Sequence, residues 1–267
     1  MARNKSERQE QELAYLERYG SISLLEMTEK FDCSEATARR DLEELEKTGR
    51  IIRTMGGGAK YGSNGMSREV PFHEKQSALF REKEAIADKA ASLVEEGDVI
   101  GLTGGTTTFL IAKALKKRSN ITVVTNAVNI AMELADSEEL QVVLTGGVLR
   151  NRSYELCGPL AEQSVKALNI HLMFMGVDGV TGQGVSTYSE LEANIASQLM
   201  RRSGRTIAVF DRSKVGKSSL FHVASLNELH ACITDELPAE STLQALKQAN
   251  VEVYTANWSS NHSPLEG

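Results

Sequence analysis

The chain has 267 residues, room for two domains at roughly 100–200 residues each. Hydrophobic residues make up 41% and charged residues 25%, ordinary values for a protein with a packed core. A formal net charge of −6 excludes binding to nucleic acid through overall charge, so any DNA contact must come from a local patch.

The longest apolar run, residues 172–177, is far short of the ~20 residues that cross a bilayer. Met1-Ala2-Arg3-Asn4-Lys5 leads into charge and not into an apolar stretch, so no membrane partner and a cytoplasmic location are expected. Cys33, Cys157 and Cys232 are widely spaced and odd in number. They read as reduced thiols acting as small apolar residues, with no disulfide framework and no metal site.

In chain order, residues 6–19 read as a charged helix with Leu13 and Leu16 inward. Gly20 ends it, because glycine readily takes the left-handed backbone of a helix end. A short helix over 24–31 follows, with Met27 and Phe31 four residues apart. Asp32-Cys33-Ser34 is the turn, and the Ser34 hydroxyl can cap a third helix over 35–48 that Gly49 closes. Ile51-Ile52-Arg53-Thr54 reads as a strand, Gly56-Gly57-Gly58 as a turn, and Gly62-Ser63-Asn64-Gly65-Met66-Ser67 as a linker. From about residue 76, helical segments alternate with apolar strands at 99–102, 121–124, 142–144, 172–177, 206–210, 231–233 and 251–254. That alternation predicts an α/β domain with a mostly parallel sheet. The polar end, from residue 257, reads as a disordered tail.

On a helical wheel of the third helix, Ala38, Leu42 and Leu45 fall within about 60° of one another and face inward. Ala36, Arg40 and Lys47 lie opposite, flanked by Thr37, Arg39 and Glu43. An apolar stripe that docks, with arginine and small residues outward, suits a helix that enters a major groove. Arginine can grip guanine with two hydrogen bonds or clamp a phosphate. Ser34, Ala36, Thr37 and Arg40 are the candidates for base contact. Positive charge groups at Arg39, Arg40, Arg50, Arg53 and Lys60, on this helix and the hairpin after it, as phosphate binding requires.

A second cluster, Gly104-Gly105-Thr106-Thr107-Thr108, falls between a strand and a helix. Tight glycine turns and helix-start N–H groups suit an anion. No Gly-Lys-Ser/Thr follows and no GxGxxG is present, so this is neither a Walker loop nor a dinucleotide fingerprint. Further polar loops end other strands: Thr125-Asn126, then Thr145-Gly146-Gly147 with Arg150 and Arg152 beyond, then Gly176-Val177-Asp178-Gly179, then Asp211-Arg212-Ser213-Lys214. In an open α/β sheet these ends converge on one crevice.

The run from Cys33 to Leu42, followed by Arg53-Thr54-Met55-Gly56-Gly57-Gly58-Ala59, resembles the signature of the DeoR family of repressors. That signature reads Val-Ser-x-x-Thr-Ile-Arg-Arg-Asp-Leu, then Arg-Thr-His-Gly-Gly-Ala. Here Cys33, Ala38 and Met55 replace Val, Ile and His, and Glu12 stands where the family usually has an apolar residue. Residues from about 72 to 254 resemble the family's sensor domain through 121–126, 144–147 and 210–216. Thr103 stands where many members have Asp, which implies weaker binding of a hydroxyl or amine there.

The resemblance implies a winged helix-turn-helix over 1–61, with the helix-turn-helix at about 20–39. It implies a linker over 62–75, a sensor domain over 76–255 and a disordered tail over 256–267. The sensor domain is similar in fold to ribose-5-phosphate isomerase and glucosamine-6-phosphate deaminase, which implies a sugar-phosphate effector and no further cofactor. Residues 104–108 would hold the phosphate, and Asp178 and Lys214 would meet sugar hydroxyls or further charge. Double-stranded operator DNA is the expected partner. Half-sites about one helical turn apart imply a dimer or tetramer. The expected role is effector-controlled repression of carbohydrate-metabolism genes. The competing reading, a sugar-phosphate isomerase or deaminase, needs an acid/base pair. Asp178, Glu190 and Glu192 are its candidates, and the sequence offers no clear pair among them.

Overall fold

The computed structural model describes residues 5–47, 51–54, 57–61 and 69–256. The chain divides into two compact units, Met1–Phe80 and Arg81–Gly267.

The first unit opens with α1 (Lys5–Tyr19), β1 (Ser21–Ile22), α2 (Leu24–Phe31) and α3 (Glu35–Lys47). Then come β2 (Ile51–Arg53), β3 (Ala59–Tyr61) and the short α4 (Phe72–Gln76). Ser23 caps α2 in a capping box with Glu26, and Asp32 closes that helix in the left-handed region at φ 47°. Ser34 caps α3: its hydroxyl accepts from Thr37 N at 3.2 Å. As the wheel requires, Ala38, Leu42 and Leu45 are buried; they join Leu16, Met27, Phe31 and Ile51 in one core. The strands form an antiparallel sheet ordered β1-β3-β2, the wing. The sequence pattern shows β2 alone. β1 and β3 span two and three residues, too short for a visible alternation, and only pairing reveals them. Residues 62–68 and 257–267 lie outside the described residues. The stretch read as linker ends in α4, with Phe72 buried.

The second unit runs α5 (Phe80–Ser92), β4 (Val99–Leu102), α6 (Thr106–Leu115), β5 (Ile121–Thr125), α7 (Val128–Leu134) and β6 (Leu140–Leu144). A hairpin, β7 (Val148–Arg150) and β8 (Glu155–Cys157), leads to α8 (Pro159–Val165) and β9 (Ile170–Gly176). Next are β10 (Gly179–Thr181), β11 (Gly184–Thr187), α9 (Glu190–Arg201), β12 (Ser203–Val209) and β13 (Phe221–Ala224). β14 (Ala231–Thr234), α10 (Glu240–Gln248) and β15 (Glu252–Thr255) complete it. Ala256, placed in the tail by the sequence, is buried and donates its N–H to Thr234 O at 2.8 Å.

Seven strands form one sheet in the order β15-β14-β12-β9-β4-β5-β6. Every neighbouring pair is parallel. Side chains alternate between faces along each strand. Ile207 and Val209 join the helical residues Ile86, Ile111 and Ile130 in one core, whereas Ala208 joins Ala161, Ile195 and Leu246 in the other. Both faces are therefore covered, which is why these strands read as unbroken apolar runs. The order reverses at the centre. After β4 the chain adds β5 and β6 on one side, then returns to place β9 and its successors on the other. The β4/β9 boundary is the topological switch point of this sheet, where open α/β sheets bind ligands beyond the carboxyl ends of their strands.

Candidate functional site

In the first unit, α3 presents Ser34, Ala36, Arg39 and Arg40 to solvent, with Thr37 half-buried. Arg39 and Arg53 already carry acidic partners: Arg39 Nη2 meets Glu35 Oε1 at 2.6 Å, and Arg53 Nη1 meets Glu43 Oε1 at 3.2 Å. Arg40 is exposed, and its side chain has no ion pair among the described residues. A methyl group on Gly57 would lie 3.4 Å from an Arg39 guanidinium nitrogen, so the wing turn and the helix approach each other at Arg39. Arg50, Met55 and the Lys60 side chain lie outside the described residues.

The opposite face of α3 carries a charge the wheel did not assign inward. Asp41 is 1% exposed and accepts from Arg8 Nε at 2.8 Å and Gln9 Nε2 at 3.2 Å. Glu12 is equally buried, and neither carboxylate oxygen has a hydrogen-bond partner among the described residues. Burial, then the Asp41 carboxylate, push Glu12 up to about 8 against the pull of Arg8.

In the second unit, β4 delivers Gly104-Gly105 and the start of α6 to the switch point. Gly105 holds φ 135° and caps α6 without a side chain, leaving the first-turn N–H groups available to an acceptor from outside the helix. Thr106, Thr107 and Thr108 are buried around that turn, and Thr108 Oγ1 donates to Gly105 O at 3.0 Å. Across the switch point Gly176 N donates to Thr103 Oγ1 at 3.0 Å. A methyl on Gly176 would approach Gly104 O to 3.3 Å, so the two loops touch through glycine. Through the Gly176 hydrogen bond, Thr103 braces the β4/β9 junction.

Two other sequence candidates also serve the framework. Thr125 is fully buried; its hydroxyl donates to Leu102 O at 2.8 Å and accepts from Ala127 N at 3.1 Å. Gly147 packs so closely on the Cys157 carbonyl that a methyl would lie 2.8 Å from it. The Thr125 hydroxyl is thus already engaged within the fold, and Gly147 sits where a side chain would clash. Gly146, by contrast, borders open space, and Arg152 is exposed.

Asp178, Lys214 and Arg150 belong to one charged relay. Asp178 Oδ1 lies 3.9 Å from Lys214 Nζ, and Asp178 Oδ2 accepts from Tyr188 N at 3.3 Å. The Thr187 hydroxyl is 3.2 Å from Asp178 Oδ2 and 3.3 Å from Glu192 Oε2. Glu192 Oε1 in turn meets Arg150 Nε at 3.1 Å. Asp178 and Glu192 thus reach the same hydroxyl, a pairing invisible in the sequence, yet each has a cation beside it. Glu190, two residues away, is exposed.

Glu155, Thr187 and Lys83 carry no sequence signal, and Asp211 carries only that of a polar strand-end loop. Glu155 on β8 is buried against Gly104, and its Oε2 accepts from Asn126 Nδ2 at 2.9 Å. Thr187 comes from β11, another strand the pattern did not reveal. Lys83 on α5 and Asp211 after β12 are also buried. Burial alone would raise the Asp211 carboxyl; Lys214 and Lys83, with hydrogen bonds from Ser213, outweigh it and hold the group below its ordinary value. Cys157 and Cys232 are pushed up to about 12, chiefly by burial, which keeps both thiols protonated. Among the described residues no group of three or more His, Cys, Asp or Glu could hold a metal ion. No helix among them is long and apolar enough to cross a membrane.

Comparison with known proteins agrees with both halves. The family model for the DeoR-like helix-turn-helix domain matches residues 8–63, and that for the DeoR C-terminal sensor domain matches 80–236. A protein of Escherichia coli O157:H7 named as an aga operon transcriptional repressor is 35% identical over 250 residues, 93% of each chain. The lactose phosphotransferase system repressor of Streptococcus mutans is 35% identical, covering 86% of this chain and 92% of its own. The glycerol-3-phosphate regulon repressor of Escherichia coli K12 is 30% identical, covering 88% and 92%. A solved ribose-5-phosphate isomerase in complex with phospho-erythronic acid aligns over 50% of this chain and 53% of its own at 18% identity and a TM-score of 0.39. The chain belongs to the DeoR family: it is a DNA-binding transcriptional regulator with an N-terminal helix-turn-helix domain and a C-terminal sensor domain.

Proposed function

We propose that this regulator represses genes of carbohydrate metabolism and is released from its operator by a phosphorylated sugar bound at the β4/β9 switch point. The observation that carries the reading is the start of α6. A glycine-capped helix without a side-chain cap opens at the switch point of a parallel sheet, where its N–H groups and dipole suit a phosphate. In this reading Gly104 to Thr108 hold the phosphate, while Thr125, Asn126, Gly146, Gly147, Arg150, Asp178 and Lys214 line the rest of the effector site. The named relatives, repressors of sugar and glycerol-phosphate systems, support the same class of effector.

On the DNA side, Ser34, Ala36, Thr37 and Arg40 meet bases, and Arg39, Arg50, Arg53 and Lys60 neutralise phosphates. Arg39 and Arg53 exchange their carboxylate partners for the duplex. The protein acts in the cytoplasm as a dimer or tetramer, because paired half-sites need paired recognition helices. Control is linkage: an effector preferring the conformation with poor operator geometry shifts the population off DNA.

Gel shifts on operator DNA, with and without a panel of sugar phosphates, test this. Arg40→Ala is expected to abolish operator binding while a thermal shift with ligand persists. Lys214→Ala is expected to keep operator binding and lose release. Equal loss of DNA binding in both variants overturns the division of tasks.

A further inference from the structure

Among the described residues, seven side-chain N or O atoms are shielded from solvent and meet no hydrogen-bond partner. Two belong to Glu12 in the first unit. The other five are Asn126 Oδ1, both amide atoms of Asn129, Thr145 Oγ1 and Ser153 Oγ. All five lie where the carboxyl ends of β5 and β6 meet the β7–β8 hairpin.

Register brings them together. Thr125 pairs with Leu144, and Thr145 N donates to Thr125 O at 2.9 Å, so Asn126 and Thr145 are the next neighbours along that ladder. Val124 and Val143, two residues back from each, pack with Cys157 of β8 in one core. Asn126 and Thr145 therefore lean to the same side, toward the hairpin. There the chain after β5 runs antiparallel to β8. Ala127 bridges Glu155, Leu156 N donates to Asn126 O at 2.7 Å, and Val128 N donates to Tyr154 O at 2.9 Å. Asn129 and Ser153 are the next residues along this pairing. Asn126 Nδ2 is engaged by Glu155 Oε2 at 2.9 Å and Leu156 O at 3.3 Å, which leaves Oδ1 as the remaining acceptor of that amide. Glu155 in turn lies on Gly104, so the cluster adjoins the loop to which the phosphate is assigned.

A buried polar atom without a partner costs its full desolvation penalty. The chemistry of the five atoms is neutral and mixed: Asn126 Oδ1 and Asn129 Oδ1 accept, Asn129 Nδ2 donates, and the two hydroxyls do either. Alcohol hydroxyls, which both donate and accept, match that mixture. A second anion or an ammonium finds no opposite charge among these four side chains. A site built to hydrogen-bond a ligand hydroxyl also rejects the analogue that lacks it, because the polar groups of the protein then stay unpaired.

We propose that Asn126, Asn129, Thr145 and Ser153 form a polyol subsite, which takes the hydroxyl-bearing end of a phosphorylated effector once the hairpin turn at residues 151–154 lifts to admit it. This rests on the effector reading above and adds Asn129, Thr145 and Ser153 to it. Stability is given up in the free protein for recognition in the bound one. Removing one of these hydroxyls therefore has opposite effects on stability and on binding, which a merely structural role does not produce.

Thermal melting and calorimetric titration of the full chain test it, on wild type, Thr145→Val and Ser153→Ala. The ligands are ribose 5-phosphate, glucose 6-phosphate, galactose 6-phosphate, fructose 1-phosphate, glycerol 3-phosphate and methyl phosphate, the last a monoester without an alcohol hydroxyl. Each variant removes an unpaired hydroxyl and keeps most of the side-chain volume, so the ligand-free protein is expected to melt roughly 2–4 °C higher than wild type. The ester that binds wild type best is expected to bind each variant about tenfold more weakly, while methyl phosphate binds all three alike. Thr145→Ser, which restores the hydroxyl, is expected to restore ester affinity. Variants that melt no higher than wild type show that the hydroxyls are already partnered in the free protein, and overturn the subsite. Equal affinity of the best ester for wild type and both variants overturns it too, as does an equal loss of methyl phosphate; in each case the effector reading stands. Failure of every hydroxyl-bearing ester to bind wild type overturns the effector reading, and this inference with it.

Discussion

Arg8 on α1 and Asp41 on α3 meet at 2.8 Å beneath the helix that the DNA reading sends into the major groove. Asp41 is 1% exposed and the Arg8 side chain 16%, so this pair is shielded from the solvent that makes surface ion pairs weak. Removing one partner of such a pair strands the other charge. Arg8→Ala is expected to destabilise the protein by about 3 kcal/mol, read by urea denaturation of the full chain. A loss no larger than that of an exposed pair, about 0.5 kcal/mol, contradicts the buried geometry.

One turn along α1, Glu12 shares that space without a hydrogen bond. Its carboxyl is raised from 4.5 to about 8, by burial first and then by Asp41. The folded protein therefore holds this proton across a window in which the unfolded chain releases it. Stability from this group is full below pH 4.5 and is lost as pH rises through about 8. Glu12→Gln, an uncharged match for the protonated acid, is expected to equal wild type near pH 4.5. At pH 8 it should exceed wild type by on the order of 2–4 kcal/mol. Thermal unfolding at the two pH values decides it: a difference that does not grow with pH refutes the assignment.

Gly58 closes the wing on β1. A methyl group there would sit 2.3 Å from Ile22 O and 2.9 Å from Ser23 Cα, backbone atoms that cannot step aside as a flexible side chain would. Gly58→Ala is expected to cost about 1–3 kcal/mol through overpacking and to weaken operator binding. Ligand-induced thermal stabilisation of the sensor unit should survive. Unchanged operator affinity in a gel shift would show that the wing tolerates the displacement.

The main sheet, the helix-turn-helix and the glycine-rich loops were legible because each rests on local pattern. Apolar runs mark strands covered on both faces, and Ala38, Leu42 and Leu45 mark one face of a helix. What the sequence hid depends on partners far along the chain. Glu155 meets Gly104 only because the β7–β8 hairpin folds over that glycine, and Thr187 meets Asp178 and Glu192 only because β11 pairs with β10 and β13. Strands of three and four residues without an unbroken apolar run show no readable pattern, so neither could be placed. Long-range contacts also give a sequence candidate a structural role that its local pattern does not show. Thr125 sits at a strand end with a ligand-like hydroxyl, but Leu102 O and Ala127 N already engage it.

Lys83 is another buried charge that the sequence left unassigned. It is 4% exposed, on α5, and with Lys214 it holds the buried Asp211 carboxyl below its ordinary 3.8. A depressed acid contributes stability that is present above the unfolded value of 3.8 and is lost as pH falls through the folded one. Lys83→Met removes one source of that depression while keeping much of the side-chain volume. The variant is expected to lose about 3 kcal/mol at pH 7, with the deficit shrinking as pH falls below 3.8 and Asp211 is protonated in both folded and unfolded chains. Pairing it with Asp211→Asn separates this account from simple damage to packing. If the two charges stabilise each other, the double variant is more stable than the separate losses predict, with a coupling of about 1 kcal/mol or more by a double-mutant cycle. Additive losses would instead place Lys83 in the fold for its methylene stem, and the charge on Asp211 would then rest on Lys214 and the Ser213 hydrogen bonds.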